Sequence, residues 1–486
     1  MKLIGTSIAV SALIATAAWA QPQPHYLITD LGPKGSPFAQ AAGLNNSGVI
    51  TGFAAAPDFT QHAVVWYKGQ ALDISKPGLG GPNTAAFSVN ESGLVLVQAE
   101  GSAKDSNNEN FCGYGTGLKC LPALWQNGVM TPLPLLGGNN GEVGSVNNRG
   151  EASGTAENAT VDPDCPAGMA VSGLGPQVLD YKPVIWGPKP GAIRQLSLPP
   201  GDTVGFAFGI NDNGQAAGMT GTCANTQLPG IAAAAHAVFW DSDGSVLDLG
   251  NLGGTSNPAV LGEGNAALAV NNRGEVVGTS SLHDNVNHHP FLWTRRTGMQ
   301  DLGVLEGDNI GAGLAINSQG DIVGASVKGP DPITGNPRAA LWRNGEKFDL
   351  NALALPGSPL YLLTAFGIND SGQIVGFGAD KDGNLHGFLA TPAQTKAAAG
   401  PKALTLTTSK SILLDGTQST SADGNSLTYV WTIPQGSPSA AISGGTAASP
   451  TVTFSSIRGP YTFQLTVTDS TGATSTDSVS VQFMGE

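Results

Sequence analysis

The chain has 486 residues and a formal net charge of −14, with a sequence pI near 4.8. Only 12% of the residues are charged, and Lys and Arg form no clusters of the kind that bind nucleic-acid phosphates. With 68 glycines and a hydrophobic share of 40%, the composition indicates many short strands joined by tight turns rather than disorder. We therefore expect an all-β protein without a nucleic-acid partner.

The first 20 residues have the pattern of a secretory signal peptide. Lys2 precedes an uncharged stretch over residues 3–17, and the small residues Ala18 and Ala20 flank Trp19. We expect cleavage near Ala20, a secreted or periplasmic location, and no membrane insertion of the mature chain. An uncleaved membrane anchor is the alternative interpretation.

A turn motif, apolar-Asn-x-x-Gly, occurs seven times along the chain. Its asparagines are Asn45, Asn90, Asn147, Asn211, Asn271, Asn317 and Asn369. Successive copies lie 45, 57, 64, 60, 46 and 52 residues apart, a spacing that suits one four-stranded propeller blade with a loop of variable length. Asn and Gly both tolerate positive φ, so each copy predicts a strand, a tight turn and a second strand.

Two further motifs complete each repeat. A strand that ends in Trp follows the turn in six copies, at Trp66, Trp125, Trp186, Trp240, Trp293 and Trp342. An Asp-Leu-Gly strand then closes the repeat, most clearly at residues 247–250 and 300–303. The seventh copy lacks this last strand, whereas residues 28–32 supply it at the other end of the array. The sequence therefore predicts a seven-bladed β-propeller over residues 26–391, closed by its N-terminal strand.

These repeats resemble the HAF-repeat family of bacterial extracellular proteins, which is named for the His-Ala-Phe start of the Trp strand. The resemblance covers roughly residues 26–391. It weakens in the second, third and sixth repeats, where Pro122, Lys182 and Arg338 stand near the His position. The resemblance implies the propeller fold and an extracellular location, and it supplies no catalytic residues.

The repeat pattern ends near Leu389, and residues 392–401 have the composition of a linker. Residues 402–486 alternate between apolar and polar positions, as an immunoglobulin-like β-sandwich does, with Trp431 as its expected core aromatic. The Leu-Asp-Gly start at 414–416 and the Leu-Thr-Val-Thr-Asp strand at 465–469 resemble a PKD domain. Such modules act as spacers or as carbohydrate and protein contacts on exported proteins.

Four cysteines in an exported chain predict two disulfides. Three pairings are open, and we favour Cys112 with Cys120 inside one loop and Cys165 with Cys223 between neighbouring repeats. All four lie in the long connections at 98–120, 155–182 and 220–235, which would gather on one face.

These three loops form the candidate binding surface, because binding residues often lie in loops on a rigid scaffold. Their candidate ligand-contacting residues are Asp105, Glu109, Tyr114, Asp162, Asp164 and Tyr181. The alternative is that the disulfides serve only to stabilise long loops outside the cell.

No cofactor is expected, although two short segments contain metal-binding residue types. Asp380, Asp382 and Asn384 place alternate oxygens beside Gly383, which suits either calcium or an ordinary hairpin turn. Residues 283–288 contain two His and one Asp, which suit either zinc or a polar loop. A further set of histidines recurs at one strand position and predicts a repeated structural bond: His62, His236, His289 and His386.

The sequence favours an exported, non-enzymatic binding or adhesion protein that recognises a glycan, a cell surface or an extracellular protein through loops on one propeller face. The first alternative is a secreted polysaccharide lyase or hydrolase whose site is assembled from several loops. The second is a structural envelope or matrix protein. Sequence spacing assigns neither catalytic residues nor an oligomeric state.

Overall fold

The computed structural model describes residues 24–32, 36–165, 176–226, 234–254, 264–329, 335–401, 404–422, 424–455, 457–470 and 472–485. The predicted signal peptide lies outside these residues. The described chain is all-β, with one short α-helix, α1 (Leu350–Leu353), and one 3-10 turn (Cys223–Asn225). None of its helices has the length and hydropathy needed to cross a bilayer.

The chain divides into two units, of which the first comprises Tyr26–Pro392. This unit begins with β1 (Tyr26–Asp30) and continues in groups of four antiparallel strands, which we call repeats. Repeat 1 contains β2 (Ala39–Leu44), β3 (Ile50–Ala55), β4 (Gln61–Tyr67) and β5 (Gln70–Asp73). Repeat 2 contains β6 (Gly80–Val89), β7 (Val95–Lys104), β8 (Leu118–Gln126) and β9 (Val129–Pro132).

The next three repeats have the same strand order. Repeat 3 contains β10 (Gly137–Val146), β11 (Ala152–Val161), β12 (Leu179–Trp186) and β13 (Ile193–Gln195). Repeat 4 contains β14 (Val204–Ile210), β15 (Ala216–Gly221), β16 (His236–Trp240) and β17 (Val246–Asp248). Repeat 5 contains β18 (Asn265–Val270), β19 (Val276–Ser281), β20 (His288–Thr294) and β21 (Gly298–Asp301).

Repeat 6 contains β22 (Ile310–Ile316), β23 (Ile322–Lys328), β24 (Asn336–Arg343) and β25 (Glu346–Asp349). A single parallel bridge between His288 and Ile310 joins it to repeat 5. Repeat 7 has only three consecutive strands, β26 (Tyr361–Ile368), β27 (Ile374–Ala379) and β28 (Leu385–Pro392).

The strand β1 completes repeat 7 from the other end of the unit. It pairs with β28 in antiparallel register, from Tyr26 opposite Pro392 to Asp30 opposite Phe388. Tyr26 and Ile28 are buried in the core that contains Phe388, whereas Leu27 on the alternate face is exposed. The first and last strands of this unit therefore share one sheet.

The Asn-x-x-Gly motif forms the turn between the first and second strands of each repeat. In repeat 4, Asn211 Oδ1 accepts hydrogen bonds from the backbone N–H groups of Asn213 and Gln215, both at 3.0 Å. Gly214 has a φ of 78°, which a glycine adopts without a steric cost. The Asn side chain thus accepts hydrogen bonds from backbone N–H groups of its own turn, which would otherwise need other acceptors.

The same asparagines link the repeats to one another. Each side-chain amide donates to the backbone carbonyl of the motif Asn in the next repeat, over 2.9–3.2 Å. The last of these bonds runs from Asn369 back to Asn45 at 3.1 Å. All seven motif asparagines are buried, so these bonds form a cyclic network that water does not replace.

The Trp strand supplies a second link between repeats. The indole N–H of Trp186 donates to the carbonyl of Pro134, and that of Trp240 donates to the carbonyl of Ser197, which both follow the fourth strand of the preceding repeat. Trp66 makes the equivalent bond to Leu31, at 3.0 Å. Because residue 31 follows β1, this bond joins repeats 7 and 1.

The recurrent histidines of the third strand bond to aspartates, mostly those of the Asp-Leu-Gly motif. The Nδ1 to carboxylate distances are 2.8–2.9 Å for His62 with Asp73, His289 with Asp301, and His386 with Asp30. His236 bonds instead to Asp202. In repeat 6, Arg338 takes the His position and bonds Asp349. For three of the four recurrent histidines, the second sequence motif therefore contacts the third.

The second unit includes Ala393–Glu486 and is a sandwich of two sheets. One sheet contains β29 (Thr405–Thr407), β31 (Thr428–Thr432), β34 (Gly459–Thr468) and β35 (Thr474–Phe483). The other contains β30 (Ser411–Leu413), β32 (Ala440–Ser443) and β33 (Thr451–Phe454). Trp431 is buried in the core between them, as predicted.

The segment 392–401, predicted as a linker, contributes to this second unit. Lys396 and Thr420 exchange two backbone hydrogen bonds, at 2.8 and 2.9 Å. Ala397 and Ala399 are buried in the sandwich core. Small side chains allow this close packing, which explains why hydropathy patterning did not reveal it.

Candidate functional site

Two disulfides tie the long loops of repeats 2 to 4. Cys112 bonds to Cys120 inside the loop of repeat 2, and Cys165 of repeat 3 bonds to Cys223 of repeat 4. These are the two pairings favoured from the sequence. Because the asparagine turns gather at one end of the repeats, the loops between second and third strands lie at the other end, which we call the loop face.

The first two candidate residues, Asp105 and Glu109, meet a third carboxylate that sequence reasoning missed. Their oxygens and those of Glu157 all lie within 4.8 Å of one another, and all three residues are buried. The amide of Asn140 donates to Asp105 and to Glu157, both at 3.0 Å. Gln177 donates to Glu109 at 3.2 Å and to Glu157 at 3.0 Å. Through these amide hydrogen bonds the cluster joins repeats 2 and 3.

The cluster holds protons near neutral pH. Burial, and after it the charge of Glu109, raises the pKa of Glu157 to about 8. Burial also raises the pKa of Glu109, although its carboxylate accepts hydrogen bonds from the backbone N–H groups of Leu179 and Val178. One or more of these carboxyls is therefore neutral under conditions in which an exposed Glu is ionised.

The remaining candidates of repeat 3 lie apart from this cluster. Asp162 is buried and accepts a hydrogen bond from Thr203 at 3.2 Å, and burial followed by the neighbouring Asp180 raises its pKa. Tyr181 is also buried. Asp164 is exposed at the loop surface. Among the six candidates, the structure thus brings Asp105 and Glu109 together and leaves Asp164 the most accessible.

Tyr114 occupies the disulfide loop of repeat 2 and is partly buried. Its hydroxyl accepts a hydrogen bond from Gln61 of repeat 1 at 3.1 Å. Burial, and then the charges of Glu100 and Glu142, raise its pKa. Tyr114 therefore lies near Glu142, which is an acid of the first strand of repeat 3.

The two segments considered for metals have other contacts. Asp380 accepts from the backbone N–H groups of Asp382 and Asn384, both at 2.8 Å, while Lys381 forms an ion pair with Asp382. This is an ordinary hairpin turn between β27 and β28. Within the described residues, the segment 283–288 does not bring three ligand atoms together. Its His288 is buried, and burial lowers the pKa of that imidazole to about 4.

A channel of about 520 Å³ runs along the first strands of the repeats. Its lining is mainly apolar: Leu44, Val89, Val146, Ile210, Val270, Ile316 and Ile368 form one layer beside the asparagine turns, and Phe87, Phe208, Leu268, Leu314 and Phe366 form the next. Gln40 and Glu142 lie one further step from the turns. The sequence signal for Glu142 was present, since it is the only acid found five residues before a motif Asn.

Glu142 remains partly accessible from the channel although protein atoms surround its carboxylate. Burial raises its pKa to about 7. At the other end of the channel, the asparagine turns line a smaller cavity of about 210 Å³ with Glu91, Asp212 and Asp370. Burial raises the pKa of Asp212, but hydrogen bonds from Asn148 and Asn272 outweigh burial and lower it overall.

A cleft of about 400 Å³ opens on the loop face of repeat 7. Tyr361 begins β26 there with 48% of its surface exposed. Ser358, Asp380 and Lys381 add hydroxyl, carboxylate and ammonium groups to the same cleft. An exposed aromatic ring beside several polar groups is an arrangement that binds amphipathic ligands.

Comparison with known proteins identifies the C-terminal unit. Residues 399–482 match a PKD-domain family, so the chain contains a PKD-like domain. The solved PKD domain from KIAA 1837 protein is 30% identical over 20% of this chain and 92% of that chain, with a TM-score of 0.17. No curated protein matches the chain.

Other solved structures resemble the chain at low identity. The extracellular domain of a hybrid two-component system from B. thetaiotaomicron is 9% identical, with a TM-score of 0.38. The match covers 95% of this chain and 58% of that one. Aleuria aurantia lectin, solved with α-methyl-L-fucoside, is 10% identical with a TM-score of 0.31, over 75% of this chain and 91% of that chain.

Proposed function

We propose that residues 26–391 form a seven-bladed β-propeller of HAF-type repeats, closed by the N-terminal strand and preceded by a cleaved signal peptide. Three contacts between the ends of the array support closure: Asn369 with Asn45, Trp66 with Leu31, and His386 with Asp30. The Asn and Trp bonds are the ones that neighbouring repeats form elsewhere in the array. The His to Asp bond is the one that the third and fourth strands form within a repeat. The seventh repeat is thus completed by the start of the chain.

We further propose that this propeller is an exported binding protein that recognises a glycan on a cell surface or in the surrounding matrix through its loop face. The observation that carries this proposal is the cleft beside Tyr361. Its half-exposed ring offers an apolar surface to the C–H face of a pyranose, and Ser358 and Lys381 add polar groups to the lining of the same cleft. The PKD-like domain would then act as a spacer or a second contact.

The test incubates the mature protein with a panel of polysaccharides and measures both retention and newly formed sugar ends, with and without a chelator. We expect retention of at least one polysaccharide without new ends. Tyr361→Ala should weaken that retention tenfold or more, the loss typical of an aromatic binding anchor. Tyr67→Ala is the matched control, because Tyr67 is 43% exposed at the end of β4 that lies beside the asparagine turns.

Two outcomes would contradict this function. If both tyrosine variants bind as wild type, Tyr361 does not form the site. If new sugar ends accumulate, the protein is a polysaccharide lyase or hydrolase. That second candidate is favoured by one observation, the carboxyl of Glu142 with a pKa raised to about 7 in a channel, which suits a general acid or base at neutral pH. Absence of both retention and products would favour a structural matrix protein.

A further inference from the structure

Among the described residues that line the central channel, Glu142 is the only one with a charged side chain. Within the part of the chain that the structure describes, its carboxylate has no hydrogen-bond or ion-pair partner. By contrast, the buried carboxylates of Asp105, Glu109 and Glu157 all accept bonds from amides. A buried charge without a partner costs free energy, so the channel is better suited to a ligand that supplies the opposite charge.

Aromatic rings of the two neighbouring repeats line the same channel as Glu142. Phe206 occupies the equivalent position in repeat 4, and its ring stacks on that of Phe208 with centroids 4.2 Å apart. Phe87 lines the channel from repeat 2. The faces of such rings carry negative electrostatic potential and attract cations.

Repeat 3 itself carries no side chain in the layer of the channel next to the carboxylate. Gly144 takes the position that Phe87 and Phe208 hold in the neighbouring repeats. A Cβ at Gly144 would lie 2.4 Å from the backbone oxygen of Phe208, so no other residue fits there without a shift of the strand. In this layer, repeat 3 therefore packs its backbone closely against repeat 4, while the neighbouring repeats contribute aromatic rings to the channel.

We propose that the central channel binds a small organic cation, with its ammonium group against Glu142 and its alkyl groups against Phe87 and Phe208. The volume of about 520 Å³ is larger than a small organic cation, so such a ligand enters the channel together with water. The described lining contains no Lys, Arg or His, so nothing in it opposes a positive charge. This site lies on the propeller axis and does not depend on glycan binding at Tyr361.

The binding has a defined pH dependence. A cation binds the ionised carboxylate, and burial raises the pKa of Glu142 to about 7, so affinity rises as the pH increases from about 5.5 to 8. Tyr114 and Tyr181 lie close enough to Glu142 for its charge to act on their pKa values. Burial raises the pKa of both tyrosines, so they stay neutral throughout this pH range. Glu157, on the adjacent strand β11, also titrates in this pH range. A variant of Glu142 shows which part of the pH dependence of binding comes from Glu142.

The experiment measures binding of choline chloride to the mature chain by titration calorimetry at pH 5.5 and pH 8, at matched ionic strength. The uncharged isostere 3,3-dimethylbutan-1-ol is the ligand control. We expect choline to bind at least tenfold more tightly than the isostere at pH 8, and to weaken fivefold or more at pH 5.5. Glu142→Gln should reduce choline affinity at least tenfold and remove the pH dependence.

Further variants keep the proposal falsifiable. Phe208→Leu retains apolar volume but loses the aromatic face, so choline affinity should fall threefold or more. Glu346→Gln, at an exposed acid of β25, should bind choline as wild type does. Equal binding of choline and its isostere, unchanged binding by Glu142→Gln, or no binding at millimolar choline would each overturn the inference. Tyr361→Ala should leave choline binding intact, which separates this test from that of the proposed glycan site.

Discussion

The replacement Asn211→Ala removes four hydrogen bonds from one turn of the cyclic network. Oδ1 accepts from the N–H groups of Asn213 and Gln215 at 3.0 Å, while Nδ2 donates to the Asn271 carbonyl at 2.9 Å and to Gln215 Oε1 at 2.8 Å. Each bond contributes about 0.5–1.5 kcal/mol net, and water can reach part of the turn. We therefore expect the free energy of unfolding to fall by about 2–4 kcal/mol.

The replacement Asn211→Asp removes only the two bonds that Nδ2 donates, one to the next repeat and one to Gln215 Oε1. The carboxylate keeps the acceptor for the turn but places a second oxygen against the carbonyl of Asn271. The ionised form is therefore destabilised in the folded protein, and the folded pKa of the new carboxyl lies above its unfolded value. Stability should then be greatest at low pH, where the protonated carboxyl can donate, and should be lost as the pH rises through the folded pKa.

The assay is urea unfolding at pH 4.5 and pH 7.5, followed by tryptophan fluorescence, to which the buried Trp240 of the same repeat contributes. Asn384→Ala is the matched control, since this exposed turn amide bonds only within its own hairpin. It should change stability by less than about 0.5 kcal/mol. If Asn211→Ala is as mild as this control, or if Asn211→Asp matches wild type at both pH values, the network does not stabilise the repeats.

Three further predictions concern the core, the cluster and the disulfide between repeats. The pKa of Glu157 is raised to about 8 in the folded protein, so the stability that this residue contributes is lost as the pH rises from about 4.5 to 8. Glu157→Gln should therefore flatten the slope of melting temperature against pH. An unchanged slope would contradict the raised pKa of Glu157. Tyr26→Ala should cost about 3–5 kcal/mol in urea unfolding, whereas the exposed Leu27→Ala should cost little; equal costs would argue against the role of β1. Replacing Cys165 and Cys223 by Ser should cost about 2–5 kcal/mol in the same assay, and reduced wild type should be no more stable than this variant.

The turns and strands could be predicted from the sequence because the residues that specify each of them are neighbours in the chain. An Asn that satisfies its own turn and a Gly at positive φ fix a hairpin wherever they recur, so seven copies predict seven such turns. Period-two alternation and Trp431 likewise predicted the sandwich that the comparison identifies as PKD-like. The disulfide pairs agreed with expectation because sequence separation limits which cysteines meet.

The sequence did not reveal which side chains of different repeats meet. From the sequence, Asp105 and Glu109 were candidates for ligand contact at the loop surface. The fold instead buries both residues against Glu157, which belongs to the second strand of the next repeat. The histidine and aspartate motifs were visible separately, but only the register of the third and fourth strands joined them.

The position of Glu142 shows the same limit most clearly. The repeat register marks it as the only acid five residues before a motif Asn, but that register does not tell which groups surround its carboxylate. Burial, the surrounding channel and aromatic rings from adjacent repeats decide its chemistry, and these depend on how the first strands of different repeats lie relative to one another. Sequence thus determined the repeating strands and turns, whereas only tertiary structure decided where an unpaired charge would lie, because desolvation depends on every chain segment that surrounds a group.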